Sequence, residues 1–260
     1  MKRYNRVLLK LSGEALAKQE VIDGKEKVVE IFDSEIISKI ADVIKRLIDD
    51  GTQVGIVIGA GNIWRGGKAD EVKRARGDQM GMLATMINCL RMEDAIEKKG
   101  CTAAVFAPGG INATAEAFDF RKAVKVMENG GVAIFGGGLG IPFVTTDTTA
   151  VVRAAEISAD IILMAKSIDG IYEKDPVLPD GSIDPTVAKF KTVSYAYCLN
   201  KNLKATDASA SAIAEGQKID MYVFALSDPE NIIAVVNGEE IGTLVTYDKD
   251  VEIEVYNKPE

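Results

Sequence analysis

The sequence predicts an α/β protein, a three-layer α/β/α sandwich around a mostly parallel central sheet. Three observations lead there. Short β-rich runs alternate with segments of helical apolar period along the chain, the pattern of parallel strands joined by crossover helices. Apolar residues make up 47% of the 260 positions and charged residues 27%, which suits a folded chain with a sizeable core. Glycine is frequent, at 24 residues, as tight strand-to-helix turns require.

In chain order, Val7–Leu11 reads as a first strand ending on the turn Ser12-Gly13. The polar segment from Gln19 to Glu30 reads either as a hairpin or as a mobile loop. Ile36, Ile37, Ile40, Ile44, Leu47 and Ile48 recur at helical spacing between Ser34 and Asp50, and Gly51 stops the run. Val54–Ile58 is a second buried strand. A helix is expected from Asp78 to Lys99, with Met82, Leu83, Met86, Ile87 and Leu90 on its inner side and Gly100 closing it. Strands at Ala103–Phe106 and Val132–Phe135 flank a helix near Asp119–Asn129. A further helix opens around Asp147, followed by a strand at Ile161–Met164. A Pro- and Asp-rich loop runs from Asp175 to Pro185, then a helix from Thr206 to Gln217. Met221–Phe224 and Gly242–Val245 close the sheet, and the acidic tail is a candidate edge strand. No linker divides the chain, so it is expected to form one sheet whose N-terminal two-thirds and C-terminal third face each other across a cleft.

Composition removes several classes of chemistry. There is no histidine, which excludes Ser-His and Cys-His hydrolases and most zinc enzymes. Carboxylates, lysine, arginine and backbone dipoles must carry any reaction. The net charge of −8 argues against broad nucleic-acid binding, which is driven by neutralising phosphates. No apolar run approaches the ~20 residues of a membrane helix, and no signal-peptide core precedes the first strand. Cys89, Cys101 and Cys198 show no metal or redox spacing and read as core residues of a reducing compartment. A cytoplasmic protein is expected.

Unusual residues collect at four strand ends, where ligands bind in open α/β sheets. Lys10 lies at the end of the first strand. It either snorkels to water or holds an anion that the adjacent backbone amides also reach. The second strand runs into Gly59-Ala60-Gly61-Asn62-Ile63-Trp64-Arg65-Gly66-Gly67. Trp64 stands where a dinucleotide fingerprint needs glycine, and Ala69 follows Lys68 where a Walker A loop needs Ser or Thr. Small residues there still let amides approach an anion, with Arg65 adding a planar cationic fork, although turn geometry alone accounts for them equally well. Gly136-Gly137-Gly138-Leu139-Gly140 precedes Thr145-Thr146-Asp147 at a helix start, where Thr146 or Asp147 is the expected cap. Asp78 is likewise a default cap. Lys166 to Pro176 offers an aromatic face and carboxylates, against which an adenine could lie, on what is also an ordinary Asp-Gly/Asp-Pro turn.

Taken together these segments resemble the amino acid kinase family, and within it the branch that phosphorylates UMP. The matching pieces are Leu9–Leu16, Val57–Asn62 with Arg65-Gly66, Gly77–Thr85, Pro142–Asp147, Asp169–Tyr172 with Asp175-Pro176, and Gly242–Val245. The run Gly77-Asp78-Gln79-Met80-Gly81-Met82-Leu83-Ala84-Thr85 is the piece specific to that branch. The resemblance implies a nucleoside monophosphate kinase of pyrimidine biosynthesis, moving the γ-phosphoryl of ATP to UMP. It implies Lys10, Arg65 and Asp207 as catalytic residues, Asp207 orienting the lysine. For ATP it implies Lys10, Leu11, Ser12, Gly13, Gly61, Arg65, Lys166, Tyr172 and Asp175. For UMP it implies Ala60, Asp78, Leu139, Gly140, Ile141, Pro142, Phe143, Val144, Thr145 and Thr146. Mg²⁺ is expected mainly through the ATP phosphates, near Asp175 if the protein touches it, with no dedicated protein metal site. Roughly residues 1–160 would form the acceptor half and 161–260 the ATP half. A homo-oligomer, a hexamer under allosteric control, is also implied, with the Met-rich helix as a candidate subunit contact. The rivals are a member of the same family acting on an amino acid carboxylate or carbamate, and a nucleotide-sensing protein without turnover.

Overall fold

In the computed structural model the described residues are 3–22, 25–64, 72–178, 181–203 and 206–256. The strands are β1 (Arg6–Leu11), β2 (Lys18–Ile22), β3 (Lys25–Glu30), β4 (Gln53–Ile58), β5 (Ala103–Ala107), β6 (Glu116–Ala117), β7 (Val132–Phe135), β8 (Ile161–Lys166), β9 (Phe190–Ser194), β10 (Asp220–Ala225), β11 (Thr243–Thr246) and β12 (Glu254–Val255). The helices are α1 (Ser34–Asp49), α2 (Arg74–Glu97), α3 (Phe120–Glu128), α4 (Thr146–Glu156), α5 (Tyr195–Asn200), α6 (Ala208–Gln217) and α7 (Glu230–Val236). One sheet runs β12-β9-β11-β10-β8-β1-β4-β7-β5-β6, and the separate β2-β3 pair is a hairpin. From β10 through β6 every pairing is parallel. β11 is antiparallel to β10, β9 is parallel to β11, and β12 is antiparallel to β9.

Side-chain alternation along β1 shows why the sheet is covered on both faces. Val7, Leu9 and Leu11 are buried among side chains of α1, α2 and α7, while Leu8 is buried among those of α3, α4, α5 and α6. With a strand period of 2, Lys10 shares the face of Leu8 and so points toward α4. β1 sits between β8 and β4 in the middle of the sheet, so the lysine emerges from the centre of the fold.

Several expectations are corrected. The hairpin reading holds for β2 and β3, which pair antiparallel. α2 begins at Arg74, so Asp78 lies within the helix and does not cap it. Its buried stripe contains Thr85, Met86, Cys89, Met92 and Ile96, while Leu83 is 61% and Ile87 48% exposed. The apolar pattern misled because the inward face carries polar Thr85 and Asn88, both spent on the site below. The cap of α4 is Thr145, whose hydroxyl accepts from the Asp147 and Thr148 amides, and not Thr146 or Asp147. β6, β9, α5 and α7 were not expected, and β12 supplies the anticipated edge strand at the tail.

Candidate active site

The carboxyl ends of β1, β4, β7 and β8 meet in one region. Two glycine turns lie against each other there: the Gly59 amide donates to the Leu11 carbonyl at 2.9 Å, and the Ser12 amide ties the first turn to β8 through the Ala165 carbonyl at 3.3 Å. A methyl group on Gly13 would stand 2.5 Å from the Gly59 carbonyl oxygen and 2.7 Å from the Gly61 nitrogen, so only glycine lets the turns approach this closely. Behind them a buried amide pair holds the second turn. Asn88 donates to the Gly59 carbonyl at 2.6 Å and to Asn62 Oδ1 at 2.8 Å, and Asn62 donates back to Asn88 Oδ1 at 3.1 Å. The bond to Gly59 fixes backbone of the turn directly and the reciprocal pair fixes Asn62 within it, which is why a polar residue occupies the inner face of α2 here.

The third turn is held similarly. Gly137, at φ 72°, donates its amide to Thr85 Oγ1 at 2.9 Å. Asp78 accepts from the Phe143 amide at 2.9 Å and pairs with Arg74 at 2.9 Å. Trp64 Nε1 donates to the Gly77 carbonyl at 2.8 Å, tying the end of the Gly59–Gly61 turn to α2.

Lys10 lies at the convergence of these turns. Its ammonium is 2.7 Å from Asp147 Oδ1, and the Lys166 ammonium is 3.2 Å from Asp147 Oδ2. One carboxylate in the first turn of α4 thus sits between two lysines. Burial pushes the Asp147 carboxyl up, but Lys10 and then Lys166 more than offset this and hold it below the ordinary carboxylate value. Burial pulls the Lys166 ammonium below the ordinary lysine value, opposed by Asp147 and reinforced by Lys10. Asp207 caps α6, accepting from the Ala210 amide at 2.9 Å, and also accepts from the hydroxyls of Thr148, at 2.9 Å, and Thr145. It therefore joins the starts of α4 and α6. The carboxylate in contact with Lys10 is Asp147, not the Asp207 expected from the resemblance.

Two cavities are lined by the segments singled out in the sequence. One of about 270 Å³ is lined by Ala60, Asp78, Leu139, Ile141, Val144, Thr145 and Thr146, together with Trp64 and Met82. Gly140, Pro142 and Phe143 belong to the same loop but do not line it, and Phe143 is 68% exposed. The other, of about 510 Å³, is lined by Ile168, Tyr172, Asp175, Pro176, Asn202 and Leu203 among others. Lys166 is not in its wall and stands beside Lys10 instead. Leu11 is buried at the end of β1, and Gly61 packs against Glu14. Arg65 lies outside the described residues. Asp147, Asn62, Asn88 and Thr85 were not assigned roles from sequence. The first was read as a cap, and the amides and threonine carry no pattern that separates them from ordinary core polar residues.

Among the described residues no three His, Cys, Asp or Glu side chains gather as a metal cage, and no helix is long and apolar enough to cross a membrane. The formal charges of Lys10, Lys166, Asp147 and Asp207 cancel. A polyphosphate entering here needs further positive charge, and such a set fits a cation carried in on the phosphates.

The sequence profile of the amino acid kinase family matches residues 5–225. Among solved structures, the chain is similar to UMP kinase from Bacillus anthracis, with TM-score 0.87 and 34% identity over 98% of this chain and 99% of that one. It is similar to UMP kinase from Ureaplasma parvum, with TM-score 0.83 and 32% identity over 94% and 99%. Uridylate kinase from Archaeoglobus fulgidus matches with TM-score 0.69 and 27% identity over 95% and 100%.

Proposed function

The chain belongs to the amino acid kinase family, and from that premise we propose that it is a UMP kinase, transferring the γ-phosphoryl of ATP to UMP to give ADP and UDP. The observation that carries this is the Lys10–Asp147–Lys166 cluster at the capped start of α4, where the adjoining Thr145 and Thr146 line the 270 Å³ cavity. The names of the similar solved structures support the choice of acceptor.

The reaction joins two anions, so the protein's work is to neutralise charge and hold groups in line. A phosphate monoester has its second pKa near ~6, so the attacking UMP oxygen is mostly deprotonated at neutral pH and no general base is required. That oxygen bonds to the γ-phosphorus as the bond to the β,γ-bridging oxygen breaks, and the electron pair leaves on ADP. In this reading the Lys10 ammonium exchanges its Asp147 partner for phosphoryl oxygens, Arg65 adds a second cation, and Lys166 keeps Asp147 neutralised while Lys10 is engaged. The amides of Gly13 and Gly61, the Ser12 hydroxyl and the positive end of α4 face the same oxygens. Asp207 acts on Lys10 only indirectly, by fixing the start of α4 through Thr145 and Thr148.

UMP would occupy the 270 Å³ cavity, with Asp78 holding the loop that closes it. The ATP nucleoside would occupy the 510 Å³ cavity, against Tyr172. The first cavity is built from residues before 160 and the second from residues after 161, which supports an acceptor half at 1–160 and an ATP half at 161–260. Mg²⁺ would bind the ATP phosphates, with Asp147, Asp207 or Asp175 as the carboxylates able to touch it or its waters, and would supply the missing positive charge. Exposed Leu83 and Ile87 on α2 support assembly of the chain through that helix. Hexameric state, allosteric control, a role in pyrimidine synthesis and a cytoplasmic location follow from the family resemblance.

The test is ADP release from ATP with UMP, CMP, glutamate, aspartate or carbamate as acceptor. UMP should give the highest kcat/KM. Faster turnover of an amino acid or carbamate overturns the assignment, and so does the absence of turnover with every acceptor.

A further inference from the structure

Beyond β11 the chain does not leave the fold. It crosses back over the edge of the sheet, pairs as β12 with β9, and ends its described course at Tyr256. The Tyr256 amide donates to the Lys189 carbonyl at 3.0 Å. Its hydroxyl, with one proton to give, lies 2.7 Å from the Gly242 carbonyl oxygen and 2.8 Å from that of Glu240. The Lys189 ammonium sits 4.8 Å from the centre of the Tyr256 ring, donates to the Ile241 carbonyl at 3.2 Å, and donates to Asp169 Oδ2 at 2.8 Å. Asp169 Oδ1 in turn accepts from the Tyr172 hydroxyl at 2.7 Å. An unbroken line of contacts therefore runs from the tail to the aromatic wall of the 510 Å³ cavity.

Tyr172 depends on that line. Tyr172 lines both the 510 Å³ cavity and a cavity of about 250 Å³ shared with Lys189 and Tyr256. Its backbone pairs with Lys189 in an antiparallel bridge, and its hydroxyl bond to Asp169 fixes the direction of the ring along that shared wall. Asp169 is held in turn by Lys189, and Lys189 by the tail.

We propose that the segment 247–256 is a strap that positions the nucleoside wall of the ATP site, with Tyr256 a positioning residue acting through Lys189 and Asp169 on Tyr172. This rests on the reading of the 510 Å³ cavity as the ATP nucleoside site. Tyr256 touches neither substrate, so its loss should act on ATP affinity and spare both the chemical step and UMP.

The experiment compares full-length wild type with Tyr256→Ala and Tyr256→Phe. KM for ATP should rise about three- to tenfold in Tyr256→Ala, the range expected when one net hydrogen bond and a cation–π contact no longer hold the wall. KM for UMP and kcat at saturating ATP should stay within about twofold of wild type. Tyr256→Phe keeps the ring over Lys189 and should fall between, and it is read alone if Tyr256→Ala does not fold. An unchanged KM for ATP, or KM values for ATP and UMP rising together, overturns the strap. Titration of each protein with a fluorescent ATP analogue in the absence of acceptor reads the same loss without turnover. If wild type binds the analogue but does not phosphorylate UMP, the acceptor assignment fails and the strap is still judged by that titration. If wild type does not bind it, the nucleoside site and the strap fall together.

Discussion

Replacing Asp147 by asparagine tests the charge cluster most directly. The amide keeps the shape of the carboxylate but leaves two ammonium groups facing each other without a counter-ion. Removing one partner of a fully buried pair costs about 3–5 kcal/mol. Here the side chains of Lys10, Asp147 and Lys166 remain 9%, 17% and 20% exposed, so water offsets part of that loss. A destabilisation of about 2–4 kcal/mol follows, or roughly 4–16 °C in Tm for a chain of this size. The loss should shrink in Asp147→Asn/Lys166→Met, where the second ammonium is also gone, by at least about 1 kcal/mol relative to the single variants added together. Urea titration of the four proteins gives this cycle. ATP supplies the missing anion, so it should raise the Tm of the Asn variant more than that of wild type.

The pH dependence has a definite sign. The folded-state pKa of Asp147 lies below its ordinary 3.8, so its contribution is fully present above about pH 4 and disappears as pH falls through the lowered folded value. The stability gap between wild type and Asp147→Asn should therefore be flat between about pH 5 and 8 and close on acidification. An Asn variant as stable as wild type at pH 7, or a gap that widens in acid, would refute the shared-carboxylate reasoning.

Lys10→Ala should lower kcat by about 10²–10³-fold with the fold retained, since Asp147 keeps Lys166 as a partner; near-normal kcat in the ADP-release assay removes Lys10 from the mechanism. Asp78→Asn should raise KM for UMP by about tenfold or more, because the charge-assisted bond to the Phe143 amide that shapes the acceptor loop is weakened. An unchanged KM for UMP counts against that role. Gly13→Ala forces a methyl against backbone atoms 2.5 and 2.7 Å away, so a loss of about 1–3 kcal/mol and of ATP binding is expected. Full activity in that variant would show that the two glycine turns can separate without consequence.

How much of this was legible in sequence follows from the range of each interaction. β1, β4, β7 and β8 were readable because a buried parallel strand is a local apolar run, and the glycine turns were readable because glycine marks backbone that a side chain would obstruct. Lys10 stood out for the same local reason, as a charge at the end of such a run. The helix stripe of α2 was misread because Thr85 and Asn88 are polar by composition yet buried in function. Their partners, Gly137 on one side and Gly59 and Asn62 on the other, come from other turns. Asp147 shows the limit most clearly. In sequence Asp147 and Thr146 are equal capping candidates, and local chemistry favours neither. Thr145 takes the cap, which frees the Asp147 carboxylate to turn toward the sheet. Only the strand parity of Lys10 and the neighbouring β8 position of Lys166 then decide that two cations meet it there. A resemblance names the residues that recur in a family, but a pairing such as Lys10 with Asp147 is a property of three elements folded together, and so it required coordinates.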